Sequence, residues 1–308
     1  MYEVVIVGGG PAGLSAALVL GRCRRQILLF DAGKPRNAAS RSLNGYLTRD
    51  GTPPRDFLAM AREELQRYGI TPRPATVTGV TCTPYGFDVT LEDGEIVQAR
   101  TVLVATGVRD NIPKVPGIDD CYGISVHHCP YCDGWEVRDR QLVVMGQGAA
   151  ATGLALSLKT WTSDVRICTN GRARIDTRHR QQLAEHGITV HQQRIVRVDH
   201  EAGQVQRVVL ENAAAVPCDA IFFTMGQQPQ CDLPKQLGCR LTKKGVVKTN
   251  RLGQTQVPGF YVAGDASRDV QFVIVAAAEG AKAAVAINKA LQASAGLAVD
   301  VTATAITT

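Results

Sequence analysis

Residues 4–21 read VVIVGGGPAGLSAALVLG, which predicts an apolar strand, a glycine-rich turn and a helix in immediate succession. Gly8 permits the tight turn, Gly10 lets the backbone approach a pyrophosphate, and Gly13 lets the helix pack on the strand. Asp31 ends the next apolar stretch, QILLFD, where a carboxylate accepts hydrogen bonds from a ribose. This pattern is typical of a dinucleotide-binding turn.

The same pattern returns once, at residues 142–161, which read LVVMGQGAAATGLALSLKTW. Gly146 and Gly148 belong to its turn, which has the GxGxxA form. The strand that follows ends in CTNG, with no carboxylate for a ribose hydroxyl. Arg172 and Arg174 lie just beyond and favour a 2′-phosphate, hence NADP(H) over NAD(H). The alternative is a vestigial repeat that keeps the fold and binds no nicotinamide.

Strands alternate with helices in both repeats, which predicts parallel sheets with crossover helices. We therefore expect an α/β fold of two Rossmann-like dinucleotide-binding domains. A further strand and an alanine-rich helix at the end of the chain read as a return to the first domain. The predicted domains are residues 1–117 with 247–308, and residues 118–246. The tail, residues 293–308, is either disordered or lies across the first ligand site.

The run Cys129-Pro130-Tyr131-Cys132-Asp133 carries the chemistry. Two intervening residues place both cysteine side chains on one face of a helical turn, where a disulfide can open and close. If Pro130 begins a helix, Cys129 lies near its positive end, which lowers the pKa of the thiol and makes it the attacking sulfur. Asp133 is placed to pass a proton to the departing thiolate.

Two histidines precede this cysteine pair, and each is either a further proton carrier or a surface residue. They are His127 and His128. A zinc site is disfavoured, because nine cysteines include one C-x-x-C and no second ligand pair. We therefore expect no metal.

Charge and apolar patterning exclude other classes of protein. The net charge is +6, and the arginine clusters lack interleaved aromatic residues, so we expect no nucleic-acid binding. No signal-peptide pattern precedes the first strand, and glycines interrupt its apolar run, so we expect no membrane span and a cytoplasmic protein.

The order of these motifs resembles the low-molecular-weight thioredoxin reductase family along nearly the whole chain. The motifs are GGGPAG, the loop containing Asn44, Ala105-Thr106-Gly107, the C-x-x-C-D-G run, GxGxxA and Ala263-Gly264-Asp265. The resemblance implies the two-domain fold of glutathione and thioredoxin reductases, with FAD in the first domain. It also implies a homodimer, and a rotation of the central domain that offers the cysteine pair alternately to flavin and to substrate.

The resemblance assigns roles to individual residues. Those implied to hold FAD are Gly8, Gly10, Pro11, Ala12, Gly13, Asp31, Asn44, Ala105, Thr106, Gly107, Gly264 and Asp265. Those implied to face a nicotinamide nucleotide, NADP(H), are Gly146 and Gly148. Cys129, Cys132, Asp133 and His128 form the predicted catalytic set.

Three departures from the family pattern leave the direction of electron flow open. The family's His-Arg-Arg triplet is replaced by residues 169–171, its Arg-Gln before the last helix by Gln271 and Phe272, and Pro-Tyr stands between the cysteines. Such features are similar to dithiol oxidases of the gliotoxin and holothin pathways and to deeply rooted cyanobacterial reductases. The first expectation is a reductase of a thioredoxin-like protein or small disulfide. The alternative is a dithiol oxidase with oxygen as acceptor, or a reductase with a donor other than NADPH. A flavin-containing binding protein without a relay is disfavoured, because both cysteines and Asp133 are present together.

Overall fold

The computed structural model describes residues 1–243, 245–267 and 270–297. Contacts divide the chain into two compact units. The first comprises residues 1–36 and 55–109 with the described part of 229–308, and the second residues 37–54 and 110–228. Both units contain parallel sheets and helices, so the predicted α/β fold is confirmed.

The described residues form seventeen strands and seven α-helices. The strands are β1 (Tyr2–Val7), β2 (Ile27–Asp31), β3 (Arg73–Pro74), β4 (Val77–Thr83), β5 (Gly86–Leu91), β6 (Ile96–Val104), β7 (Val108–Asp110), β8 (Val126–His127), β9 (Leu142–Met145), β10 (Val165–Cys168), β11 (Thr189–His191), β12 (Ile195–Glu201), β13 (Gln204–Leu210), β14 (Val216–Pro217), β15 (Ala220–Phe223), β16 (Gln227–Pro229) and β17 (Phe260–Val262). The helices are α1 (Pro11–Arg22), α2 (Pro54–Gln66), α3 (Pro130–Asp133), α4 (Gly148–Leu158), α5 (Thr177–Glu185), α6 (Leu233–Gln236) and α7 (Val273–Ser294). A short 3₁₀ helix spans Gly264–Ala266.

The first unit is built on a seven-stranded sheet with the order β3-β2-β1-β6-β5-β4, and β17 pairs with β6. Strand β1 is central, and its side chains alternate between two cores. Val4 and Ile6 belong to the core beneath α1 and α7, whereas Val5 and Val7 belong to the core on the opposite face. Burial on both faces explains why residues 4–7 of this strand are continuously apolar. The arrangement brings the end of β1 and the start of α1 to one edge of the sheet.

The second unit repeats this plan with a parallel sheet of order β11-β10-β9-β15-β8 and an antiparallel sheet of order β12-β13-β14. Strands β9 and β15 are buried throughout. The short strand β8 lies beside β15, with His127 in register with Phe222. This pairing fixes the approach of the chain to Cys129.

The contact division differs from the predicted domains in three stretches. Residues 37–54 and 110–117 group with the second unit, and residues 229–246 with the first. In the second unit, Val198 N donates to Pro116 O at 2.8 Å. In the first, Gln236 Oε1 accepts from Val80 N at 3.0 Å. The domains 1–117 with 247–308 and 118–246 stay a prediction, and residues 298–308 of the tail lie outside the described residues.

None of the described helices combines the length and the apolarity that crossing a bilayer requires.

Candidate functional site

A disulfide joins Cys129 to Cys132, with the two Cα atoms 5.3 Å apart. Pro130 begins α3, a single turn, and Cys129 is the residue just before it, in an extended conformation. The carbonyl oxygen of Cys129 accepts hydrogen bonds from the amides of Cys132 and Asp133. The bond therefore closes one helical turn, as the spacing of the cysteines indicates. In the described residues, no group of three or more His, Cys, Asp or Glu side chains is arranged to hold a metal ion.

Asn44 contacts this turn from the second unit's loop at residues 37–54. Its Nδ2 donates to the carbonyl oxygen of Cys132 at 2.9 Å. The loop is tied to itself by an isolated bridge between Leu43 and Thr52. The resemblance implied a flavin contact for Asn44, and it gave no signal of this bond to the cysteine turn.

Asp133 and His127 form a buried pair beside the disulfide. His127 Nδ1 lies 3.3 Å from Asp133 Oδ1, and the side chains are 7% and 22% exposed. Burial, with a smaller contribution from Glu136, raises the pKa of Asp133 to about 7. Burial, with a smaller contribution from His128, lowers the pKa of His127 to about 4. Between these values both side chains are neutral, so Asp133 is a proton donor near neutral pH.

His128 faces a second carboxylate. Its Nδ1 lies 3.8 Å from Asp110 Oδ2, and the Asp110 side chain is 1% exposed while that of His128 is 31% exposed. Tyr122 donates its hydroxyl to the same oxygen at 2.8 Å. Gln227 Nε2 donates to Asp110 Oδ1 at 2.9 Å. Sequence reasoning missed these three partners, because no motif marks them.

The first glycine turn combines close backbone contacts with one open position. Gly8 has φ +115°, and a Cβ on it would lie 2.4 Å from Ala105 O. A Cβ on Gly13 would lie 1.8 Å from the carbonyl oxygen of Gly8, whereas one on Gly10 would meet nothing within 4 Å. Only glycine fits at positions 8 and 13, and the open position at Gly10 leaves the room that the phosphate of a dinucleotide would need.

The other residues that the resemblance assigned to FAD in the first unit gather around this turn. A Cβ on Gly107 would lie 3.9 Å from the Cβ of Asp265, and one on Gly264 would lie 3.0 Å from that of Ala12. Thr106 Oγ1 lies 3.3 Å from Cys231 Sγ. Pro11 is the first residue of α1, and the helix begins at the open end of the turn. These contacts are consistent with a cradle for one dinucleotide.

Both acidic residues of the first site are engaged by arginines that the sequence did not single out. Asp31 accepts hydrogen bonds from Arg62 Nη2 at 2.8 Å and from the amide of Gly33 at 2.9 Å. Asp265 Oδ2 accepts from Arg36 Nη1 at 3.0 Å. The same guanidinium atom also donates to Gln271 Oε1 at 2.7 Å. These partners fix the carboxylates in place.

The second glycine turn is covered by the protein's own backbone. The amide of Gly148 donates to Ala173 O at 2.8 Å, and a Cβ on Gly148 would lie 3.3 Å from Arg174 O. Ala173 is fully buried. Gln147 Nε2 donates to Thr169 O at 3.0 Å. The amide of Gly148 is therefore already bonded within the protein, and a nicotinamide site at Gly146 and Gly148 stays a prediction.

The comparisons agree on one family. The sequence profile described as pyridine nucleotide-disulphide oxidoreductase matches residues 2–280. The chain is 32% identical to a probable thioredoxin reductase of Arthroderma benhamiae, over 87% of this chain and 74% of that protein. It is 28% identical to the thioredoxin reductase aclD of Aspergillus oryzae, over 93% of this chain and 95% of that protein.

Two solved structures share the fold along nearly the whole chain. A putative thioredoxin reductase, TrxB, of Bacillus anthracis has a TM-score of 0.90 at 31% identity, covering 96% of this chain and 100% of that one. The crystal structure of HlmI has a TM-score of 0.91 at 35% identity, covering 96% of this chain and 95% of that one.

The buried pair predicts opposing pH dependences of stability. The folded state keeps a proton on Asp133 between its ordinary pKa of 3.8 and about 7, so this group makes stability fall as the pH rises. His127 binds fewer protons folded than unfolded between about 4 and 6.5, so stability rises with pH there. In the wild-type protein the two trends offset each other between about pH 4 and 6.5.

Asp133→Asn removes the fall in stability with rising pH that Asp133 causes, and it leaves the rise that His127 causes. Its free energy of unfolding should therefore rise with pH across that interval, by up to about 1.4 kcal/mol per pH unit, relative to wild type. Thermal unfolding at a series of pH values measures this. Asp56→Asn, on α2, is the control, because that carboxylate is 51% exposed. A pH profile for Asp133→Asn that parallels the wild type contradicts the assignment.

Proposed function

The chain belongs to the pyridine nucleotide-disulphide oxidoreductase family, and from this premise we propose how it works. It is a thioredoxin-reductase-like flavin enzyme with two dinucleotide-binding domains. In our proposal, electron pairs pass between FAD at the first glycine turn and the Cys129–Cys132 disulfide, and between that disulfide and a thioredoxin-like protein or a small disulfide or dithiol. The observation that carries the proposal is the disulfide itself, formed across α3 beside the proton donor Asp133.

The first site fits a flavin dinucleotide. The backbone at Gly10 is open, and α1 begins at the next residue with no side-chain cap, so this end of the helix suits a pyrophosphate. Asp31 and Asp265 would orient the ribose and the ribityl chain. When bound, FAD supplies a two-electron acceptor or donor for the cysteine pair. A contact of Asn44 with the flavin stays a proposal, since its amide group is bonded to Cys132 O.

The cysteine pair exchanges with the substrate through a mixed disulfide. A thiolate attacks one sulfur of a disulfide, a bond forms between the two molecules, and the second sulfur leaves as a thiolate that takes up a proton. Asp133, with its pKa raised to about 7, is placed to give that proton and to take one back when the direction reverses. The same residues therefore serve reduction and oxidation.

A second candidate function, in which a dithiol rather than NADPH supplies the electrons, is favoured by the second glycine turn. The amide of Gly148 is used by Ala173 O, and no carboxylate follows β10. A pyrophosphate would have to displace residues 173–174 to reach the turn. Electrons from a substrate dithiol would then pass through the cysteine pair and the flavin to oxygen or to another acceptor.

The proposal also covers the location, the oligomeric state and the partner of the protein. The resemblance to thioredoxin reductases supports a cytoplasmic homodimer, and the thioredoxin reductases among the relatives support a thioredoxin-like partner. Neither a nucleic acid nor a membrane has a role in it.

Gly10→Ala should weaken flavin binding without unfolding the protein. The added methyl group meets no protein atom within 4 Å, so it enters the space proposed for the phosphates. We expect the flavin retained after gel filtration to fall, with an affinity at least about tenfold weaker, equivalent to about 1.4 kcal/mol. Gly153→Ala, on α4, is the control, since its methyl group also meets nothing within 4 Å. Full flavin retention in Gly10→Ala contradicts the assigned site.

Cys132→Ser should keep its flavin and lose disulfide turnover, because no internal disulfide can form. The flavin spectrum and the steady-state reduction or oxidation of a dithiol substrate measure the two properties. Cys23→Ser is the control, since Cys23 is an exposed free cysteine of the first unit. Turnover by Cys132→Ser at the wild-type rate would contradict electron transfer through the Cys129–Cys132 disulfide.

The covered second glycine turn indicates that a dithiol, rather than a nicotinamide nucleotide, donates the electrons. In anaerobic titrations, dithiothreitol should bleach the flavin absorbance faster than NADPH or NADH does. Rapid bleaching by NADPH, at a rate that saturates at micromolar concentrations, would instead support the NADPH-dependent reductase.

A further inference from the structure

We propose that Asp110 is a positioning residue that acts through His128, so that a second histidine–carboxylate pair carries a proton during exchange between the cysteine disulfide and its substrate. The inference deepens the proposed function and rests on it. It concerns Asp110, Tyr122 and Gln227, which no motif marks.

The exchange needs more than one proton carrier. When a substrate dithiol reduces the Cys129–Cys132 bond, two substrate S–H bonds and one enzyme S–S bond break. One substrate S–S bond and two enzyme S–H bonds form, so two electrons and two protons pass to the enzyme. In the opposite direction all of these movements reverse. Each exchange therefore requires one group to accept a proton from the attacking thiol while another protonates the departing thiolate.

The two histidines before Cys129 face opposite sides of one strand. His127 packs against Phe222, with ring centroids 5.4 Å apart, and pairs with Asp133. His128 packs against Phe223, with ring centroids 6.3 Å apart, and pairs with Asp110. Because neighbouring residues of a strand point to opposite faces, two adjacent histidines and two adjacent phenylalanines create two separate pairs. Both pairs converge on the chain that leads directly into Cys129.

The environment of Asp110 fixes its carboxylate in place. At 1% exposure it has little contact with water, and its two oxygens accept hydrogen bonds from Tyr122 and Gln227. A carboxylate fixed on the Nδ1 side of a histidine orients the ring and stabilises its protonated form, and in this proposal Nε2 exchanges the proton. His128 retains 31% exposure, so its ring is open to a substrate.

The titratable groups around His128 act in different directions on its protonation. Asp110 on β7 favours the charged ring, and the Tyr122 hydroxyl, which donates to Asp110 Oδ2, partly satisfies that charge. His127, the preceding residue on β8, has its pKa lowered to about 4 by burial, so it is neutral at higher pH. Above that pKa His127 contributes no charge, and Asp110 is the carboxylate that lies on the Nδ1 side of the His128 ring.

The test is the pH dependence of the rate at which dithiothreitol reduces the Cys129–Cys132 bond, followed anaerobically by acid quenching and alkylation of the freed thiols. Comparison with His128→Gln identifies which limb of the pH–rate profile, the rising or the falling one, depends on the protonation of His128. Asp110→Asn should move that limb to lower pH and slow reduction about tenfold near neutrality, which is less than the roughly hundredfold loss expected when a general base is itself removed. In the His128→Gln background, Asp110→Asn should have no further effect.

Tyr122→Phe is the matched variant, because it removes one donor from Asp110 Oδ2 and leaves the carboxylate in place. More negative charge then faces His128, so the limb should move to higher pH, opposite to Asp110→Asn. Structural damage would not produce shifts of opposite sign. If Asp110→Asn fails to fold, the shift in Tyr122→Phe alone decides.

Two results would overturn the inference in distinguishable ways. Profiles of Asp110→Asn and Tyr122→Phe that both match the wild type overturn the role of Asp110 and leave the relay intact. A wild-type disulfide that dithiothreitol does not reduce at any pH overturns the proposed function, and the inference falls with it.

Discussion

The Cys129–Cys132 bond depends on a helix that cannot be stable by itself, since α3 has only four residues. Tertiary contacts hold it instead. Asn44 bonds its last cysteine carbonyl, His127 pairs with Asp133, and the Trp161 ring occupies the space beside Gly134, where a Cβ would lie 2.7 Å from that ring. The redox pair is thus positioned by the adjacent His127 and by two side chains from distant parts of the sequence, and His127 and Asp133 are also the proposed proton carriers.

The two glycine turns share a sequence pattern but differ in their backbone contacts. At the first, the close contacts of Gly8 and Gly13 leave an open backbone at Gly10. At the second, the corresponding amide, on Gly148, is already bonded to Ala173 O. Both turns serve the fold, because a strand must pass closely into a helix in each. The backbone is open at Gly10 and bonded at Gly148, and this difference is the observation behind the proposal that a dithiol supplies the electrons.

The sequence predicted what local spacing determines. Neighbouring residues are enough to predict the two strand–turn–helix repeats, the start of α3 at Pro130 and the cysteine pair. The order of these motifs along the chain was enough to predict the family. It did not predict contacts made by distant residues, such as Arg36 with Asp265, Asn44 with Cys132 O, or Asp110 with His128. Nor did it foresee that residues 173–174 cover the second turn, because a backbone carbonyl carries no residue-specific signal. The grouping of residues 37–54 with the second unit likewise depends on where a loop packs, and the predicted domain boundaries stay a prediction.

The central claim is that the Cys129–Cys132 disulfide and a bound flavin share one pair of electrons. Stopped-flow mixing of the anaerobic protein with one equivalent of dithiol, followed by alkylation and peptide mass spectrometry, tests it most directly. The account predicts that Cys129 and Cys132 are protected in the isolated protein, and that their labelling appears before the flavin loses its absorbance. A colourless protein, or cysteines that label fully before any reductant is added, would contradict it.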